Sequence, residues 1–223
     1  MTRWLLFFAL APAFAQLPAP LQSSIDEAAR KVLADTGSTS ASLAVVKDGK
    51  VVYVRAYGDA RLEPRVPARP EMRYKIGSIT KQFVATAVLM LVEKGKLSLD
   101  DPVSRYIPGL TRGSEISIRQ LLSHTSGYQD YYPLDYVAPF MAKPITRQGI
   151  LDTWAKKPLD FDPGTEWQYS NTNFTIAGLI IEKLSGQPLF DFLRAQVFEP
   201  LAMHSPIDGD REKWAADDPI GYQ

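Results

Sequence analysis

The 223-residue chain is 45% hydrophobic and 22% charged, and its 25 Lys and Arg residues balance 25 Asp and Glu. That composition excludes a membrane bundle and a disordered chain, and without a basic stripe no nucleic-acid partner is expected. The length suits one domain with a sizeable core, and the absence of cysteine excludes a disulfide framework, a thiol nucleophile and a cysteine metal site.

The first fifteen residues stand apart. Arg3 gives a positive start, Trp4 to Phe14 is largely apolar, and Ala13-Phe14-Ala15 fits a small-x-small cleavage pattern. Residues 1–15 are read as a secretory signal peptide, which predicts a periplasmic or secreted protein. The apolar run is shorter than the roughly 20 residues that cross a bilayer, so no stable membrane anchor is expected.

Further on, Ser24 and Glu27 form a capping-box pattern. Ile25, Ala28, Ala29, Val32 and Leu33 follow at helical spacing, predicting a helix that ends near Thr36 with Gly37 as its stop. Ala41 to Lys47 and Val51 to Tyr57 read as strands joined in a hairpin at Asp48-Gly49. Three prolines between Leu62 and Pro70 predict an irregular extended loop leading to Ser78. Ile79 to Lys94 is apolar almost all round, which predicts a helix buried on every side, stopped by Gly95. Leu99 to Leu159 carries short-helix signals, with Asp101 ahead of Pro102 and a capping box at Ser117 and Gln120. A turn at Phe161-Asp162-Pro163-Gly164 precedes Tyr169-Ser170-Asn171 and a last apolar helix, Phe174 to Leu184, closed by Gly186.

Two short motifs carry chemistry. Ser78-Ile79-Thr80-Lys81 puts serine and lysine one turn apart at the start of an apolar helix, where free N–H groups and partial positive charge favour a developing oxyanion. A neutral Lys81 could accept the serine proton. The bland reading makes Ser78 an N-cap and Lys81 a surface residue, and the spacing alone is a weak signal. Its setting is stronger, because a lysine opposing the dipole of an apolar helix is costly to bury unless neutral or paired. Tyr169-Ser170-Asn171 discriminates better, since the chain has ten tyrosines and only two asparagines, Asn171 and Asn173. A tyrosine beside an ammonium can shuttle a proton, and the Asn171 amide can hold Lys81 and a substrate carbonyl. The rival reading is a turn tyrosine with a capping asparagine. His124 and His204 are far apart, so no metal-ligand spacing exists and no cofactor is expected.

With Leu121-Leu122-Ser123-His124-Thr125-Ser126-Gly127, Pro163-Gly164-Thr165 and Phe198-Glu199-Pro200-Leu201-Ala202-Met203 added, the chain resembles the penicillin-recognising serine hydrolases. The likeness is to the class C β-lactamase and D-alanyl-D-alanine carboxypeptidase-like group, which also holds D-aminopeptidases and esterases. The resemblance implies an α+β, β-lactamase/transpeptidase-like fold: an antiparallel sheet flanked by helices, plus a mainly helical subdomain over about residues 98–170 carrying the Tyr-x-Asn motif. It implies that Ser78 attacks an amide, ester or β-lactam carbonyl of a small-molecule or peptide-like substrate, and that Lys81 and Tyr169 move the proton. Asn171 and Ser78 would bind the substrate, while the His-Thr-Ser-Gly segment would be structural. No Gly-x-Ser-x-Gly elbow occurs, which argues against an α/β-hydrolase triad.

The family's third motif, Lys-Thr-Gly or His-x-Gly on a later strand, is missing between Asn171 and Gln223. That strand normally supplies a second oxyanion donor, worth on the order of 3 kcal/mol in the barrier. Residues 16–223 are therefore expected to be the N-terminal part of such a domain, with an incomplete sheet. The alternative is a catalytically incomplete fragment or pseudoenzyme that at most binds peptide-like cell-wall ligands.

Overall fold

The computed structural model describes residues 16–132 and 143–221, so the predicted signal peptide lies outside the described residues. The chain divides into two compact units, residues 76–206 and a smaller unit that joins the chain up to Lys75 to the stretch from Ile207 onward.

In the smaller unit, α1 (Ala19–Thr36) begins earlier than the Ser24 capping box predicted. Pro18, with φ −53° and ψ 139°, stands just before the helix, and Pro20 falls where a missing N–H costs nothing. Ser24 is thus interior, and its hydroxyl donates back to the Pro20 carbonyl at 3.1 Å. Gly37 ends the helix as expected. Of the predicted apolar stripe, Ile25, Ala29 and Leu33 are half-buried, while Val32 stays 57% exposed.

Strands β1 (Ser40–Lys47) and β2 (Lys50–Leu62) pair antiparallel across the predicted hairpin, whose Asp48 and Gly49 both take positive φ. The register skips Val52, a bulge that lets both Val52 and Tyr53 be buried in succession. The predicted irregular loop is partly a strand instead: β3 (Arg65–Pro67) pairs antiparallel with β2, giving the order β1-β2-β3. Proline is compatible with this position because β3 is an edge strand, where a missing donor breaks no ladder.

Asp26 fastens α1 to the sheet. Its carboxylate accepts from the Tyr53 and Tyr57 hydroxyls at 2.6 and 2.8 Å and from Arg55 at 2.8 Å. Those tyrosine hydrogen bonds hold its carboxyl below the usual range, while burial pushes the Tyr57 phenol up. The late stretch returns to this unit through Asp218, only 3% exposed, which accepts from the Arg73 and Ala215 main-chain N–H groups at 2.9 Å each.

The larger unit is helical. A 3-10 turn at Gly77–Ile79 runs into α2 (Thr80–Glu93). Then come α3 (Ile118–Leu122), α4 (Arg147–Ile150) with a wider π turn at Leu151–Ala155, α5 (Asn171–Ser185), and α6 (Leu189–Leu193) with a π turn at Arg194–Phe198. The Ser117–Gln120 capping box forms in full at the start of α3, whereas Asp101-Pro102 starts only one 3-10 turn, Val103–Arg105.

The core of this unit joins Val84, Ala87, Val88 and Leu91 of α2 to Ile176, Ala177, Ile180 and Ile181 of α5. The α2 set recurs at i, i+3, i+4, i+7 and the α5 set at i, i+1, i+4, i+5, each lying on one helix face, and each large aliphatic side chain contributes roughly 1.5–3 kcal/mol by leaving water. The prediction that α2 is buried on every side is corrected: Leu89 is 51% exposed, because the partners of α2 within this unit, α5 and α6, lie along one side. Helix α5 starts three residues before the predicted Phe174, which makes Asn171 its first residue.

Candidate active site

Ser78 and Lys81 lie in the first turn of the continuous helical stretch that becomes α2, and their spacing puts both side chains on one face. The Lys81 ammonium donates to Ser78 Oγ at 3.1 Å. Ser78 Oγ also shares a 2.6 Å hydrogen bond with the Tyr169 hydroxyl, although 91 residues separate the two in sequence. Asn171 completes the group: its Oδ1 accepts from Lys81 at 2.6 Å and lies 3.4 Å from the Tyr169 hydroxyl. All four predicted site residues therefore meet at one place, within the larger unit.

Lys81 is half-buried and its partners are neutral: a hydroxyl and an amide oxygen. Its ammonium also sits 4.7 Å from the Tyr169 ring centroid and 5.5 Å from that of Phe174. Ser78 belongs to the opening turn, where the Ile79 N–H donates to the Ile76 carbonyl at 3.1 Å, and the Ser78 N–H at this helix start can serve a developing oxyanion.

Tyr169 is presented by a strap that the His-Thr-Ser-Gly segment pins. Along it, Gln168 N–H donates to the His124 carbonyl at 3.0 Å, Gly164 N–H to that of Thr125 at 2.8 Å, and Asp160 N–H to that of Gly127 at 2.9 Å. Ser126 Oγ donates to Asn173 Oδ1 of α5 at 2.7 Å. The segment is thus a clamp between the strap and α5, as a structural role requires.

Two residues do more here than sequence reasoning assigned them. The His124 imidazole stacks on the Tyr169 ring, with centroids 4.7 Å apart, and its Nδ1 accepts the Ser170 main-chain N–H at 3.1 Å. That bond requires an unprotonated Nδ1 and occupies the lone pair a base would use. Asp130, unnoticed in the sequence, accepts from the Asn171 main-chain N–H at 2.8 Å and from its Nδ2 at 3.0 Å. Its only sequence signal was a position three residues after Gly127.

Burial and the Lys81 charge push the His124 imidazole below its ordinary range, against an opposing pull from Asp130. Below the unfolded value of about 6.5 the unfolded chain therefore binds more protons than the folded one, so stability falls as pH drops through that window. Chemical denaturation of the wild type is expected to show a lower midpoint at pH 5 than at pH 7.5. His124→Gln, which keeps an acceptor and loses the titration, should reduce that difference; an unchanged difference would remove His124 from the account.

Among the described residues, no group of three or more His, Cys, Asp or Glu is placed to hold a metal. None of their helices is long and apolar enough to cross a membrane.

A serine, a lysine and a tyrosine joined by direct hydrogen bonds at a helix start, in a chain that also forms an antiparallel sheet, define the β-lactamase/transpeptidase-like class of fold and site. The sequence profile of the Beta-lactamase family matches residues 25–222, and the chain belongs to that family. It is 35% identical over 207 residues to Esterase EstB of Burkholderia gladioli, covering 86% of this chain and 52% of that protein. With Penicillin-binding protein 4* of Bacillus subtilis (strain 168) it shares 30% identity over 176 residues, 78% of this chain and 39% of the relative. Among solved structures, D-amino acid amidase from Ochrobactrum anthropi SV3, complexed with L-phenylalanine amide, superposes with a TM-score of 0.80 at 30% identity. That match covers 92% of this chain and 58% of the amidase. The chain thus spans about half the length, or less, of these curated relatives.

Proposed function

We propose that this chain carries the nucleophile and proton-transfer groups of an exported serine hydrolase, acting through a Ser78 acyl-enzyme on a small amide, ester or β-lactam. The observation that carries the reading is the placement of Ser78 Oγ between the Tyr169 hydroxyl, at 2.6 Å, and the Lys81 ammonium nitrogen, at 3.1 Å. Similarity to an esterase, an amidase and a penicillin-binding protein supports the substrate class, and the sequence of residues 1–15 supports export.

In the proposed reaction Lys81 acts as the free amine: Ser78 Oγ bonds to the carbonyl carbon as its proton passes to the Lys81 amine, either directly or through Tyr169, which takes the serine proton while giving its own hydroxyl proton to that amine. The tetrahedral oxyanion meets the Ser78 N–H, and the leaving nitrogen or oxygen departs with the proton. Water, deprotonated by the same groups, then releases the acid. Asn171 Nδ2 has two hydrogens, of which Asp130 takes one, so the amide retains a donor for a substrate carbonyl.

The test is intact-mass measurement of the full chain after exposure to an alkyl fluorophosphonate and, separately, to a penicillin. With the phosphonate, the Ser78 oxygen–phosphorus bond forms as fluoride leaves. One adduct per chain, mapped to the Ser78 peptide, is expected. No adduct on folded protein would sink the reading, and saturable binding of a peptide-like ligand without an adduct would favour the non-catalytic alternative.

Removing Lys81 tests the division of labour. Lys81→Met keeps the aliphatic stem and loses the amine, and the phosphonylation rate is expected to fall by about 10²–10⁴-fold, the range for a positioned general base. Tyr169→Phe should fall within the same range. If either variant labels as fast as the wild type, that side chain is not moving the proton.

A further inference from the structure

We propose that Asp130 is a positioning residue that fixes the orientation of the Asn171 amide, so that its oxygen and not its nitrogen faces Lys81. An asparagine amide is nearly symmetric in shape and can sit either way round, so its orientation is decided by what its neighbours can donate or accept. Here both neighbours are one-sided. The Asp130 carboxylate only accepts, and it takes the Asn171 main-chain N–H on Oδ1 at 2.8 Å and Nδ2 on Oδ2 at 3.0 Å. The Lys81 ammonium only donates, and it reaches Asn171 Oδ1 at 2.6 Å. A flipped amide would set oxygen against carboxylate and nitrogen against ammonium, two repulsive contacts in place of two charge-assisted bonds.

The two-point grip also fixes Asn171 in space, because one oxygen holds its backbone at the first residue of α5 and the other holds its side chain. Asp130 Oδ1 is itself tied to the Tyr132 main-chain N–H at 3.3 Å. Asp130 touches none of Ser78, Lys81 or Tyr169 through a direct hydrogen bond among the described residues, so its influence on Lys81 runs through the asparagine.

Asp130→Asn is nearly isosteric and removes the one-sidedness. Its amide oxygen can keep the main-chain bond, but its NH2 then faces Asn171 Nδ2, donor against donor. Relief by flipping Asn171 brings Nδ2 to Lys81. Either way one bond of the Asp130–Asn171–Lys81 series is lost, and displacement of a proton-transfer group by a fraction of an ångström is expected to slow acylation roughly 10- to 100-fold.

The rate effect rests on the proposed hydrolase reading, whereas the placement does not. The full chain contains only two asparagines, so ¹⁵N-asparagine labelling gives two side-chain amide signals, from Asn171 and Asn173. Asp130→Asn adds a third amide pair, its own, and is expected to move the Asn171 pair and leave the Asn173 pair in place. An Asn171 pair that does not move overturns the proposal whether or not the wild type reacts with a phosphonate.

Where the wild type does react, the phosphonylation rate constant is read per labelled molecule, so that partial misfolding changes the amplitude and not the rate. A 10- to 100-fold slower Asp130→Asn is expected, together with partial recovery in Asp130→Glu, which restores an acceptor-only group. Asn171→Ala combined with Asp130→Asn should be no slower than Asn171→Ala alone. A rate within twofold of wild type, or effects of the two substitutions that multiply, overturns a role exerted through Asn171.

Discussion

Ser78→Ala is expected to abolish covalent labelling by the fluorophosphonate and by penicillin under conditions in which the wild type is fully modified, and to reduce any hydrolytic turnover by at least about 10⁴-fold. The size of the effect follows from chemistry: alanine has no atom that can form the ester bond, and the remaining groups of the site only move protons or donate hydrogen bonds. The nearest other hydroxyl is that of Tyr169, 2.6 Å from Ser78 Oγ, so peptide mapping decides whether residual label sits there. Ser78 is exposed, and its side-chain hydrogen-bond partners are Tyr169 and Lys81. Lys81 keeps its bond to Asn171 in the variant. Thermal stability should therefore change little, within about 0.5 kcal/mol, as for other surface substitutions. A variant that unfolds would mean that the serine is structural, and one that labels like the wild type would mean that another nucleophile acts.

The second large effect concerns folding. Gly127, the last residue of the His-Thr-Ser-Gly clamp, has φ +80°, and a Cβ there would lie 2.3 Å from the Phe161 carbonyl oxygen and 3.2 Å from Leu159 Cβ. The clashing atom is backbone, and that backbone is held to Gly127 by the Asp160 N–H bond at 2.9 Å, so relief requires separating the strap from the clamp. Gly127→Ala is expected to destabilise the larger unit by about 3–4 kcal/mol, combining left-handed strain of roughly 1–2 kcal/mol with the clash. Gly186→Ala supplies the comparison. Gly186 has φ +74° at the end of α5, and a Cβ there meets nothing within 4 Å, so only the conformational strain is incurred. Denaturant unfolding should rank Gly127→Ala well below Gly186→Ala. Equal losses would show that the strap moves aside at no cost. Because the strap carries Tyr169, Gly127→Ala should also slow phosphonylation in the molecules that remain folded.

Features whose causes are local in the chain were legible from the sequence. The hairpin at Asp48-Gly49, the capping box of α3, the helix stops at Gly37 and Gly186, and the one-turn spacing of Ser78 and Lys81 each depend on residues a few positions apart. Backbone preference and helical periodicity act over that range. The errors also have local causes. Ser24 and Glu27 have the letters of a capping box, yet Pro18 and Pro20 start α1 sooner, and the prolines that suggested an irregular loop at residues 62–70 are compatible with the edge strand β3. In α5 the polar first turn, Asn171 to Asn173, concealed a helix start that an apolar pattern could only place at Phe174.

The sequence by itself determined which residues could do chemistry: a serine and lysine on one helical face, and a tyrosine and asparagine two residues apart ahead of another helix. Tertiary structure alone decided that these pairs meet, since Ser78 and Tyr169 are 91 residues apart and no local preference encodes a contact of that separation. It also decided how Asn171 faces Lys81. That orientation depends on Asp130, 41 residues earlier, whose carboxylate meets Asn171 only when the core of α2, α3 and α5 has packed. Burial of apolar faces brings the segments together, and the one-sided donors and acceptors of Lys81 and Asp130 then leave one arrangement of the amide between them.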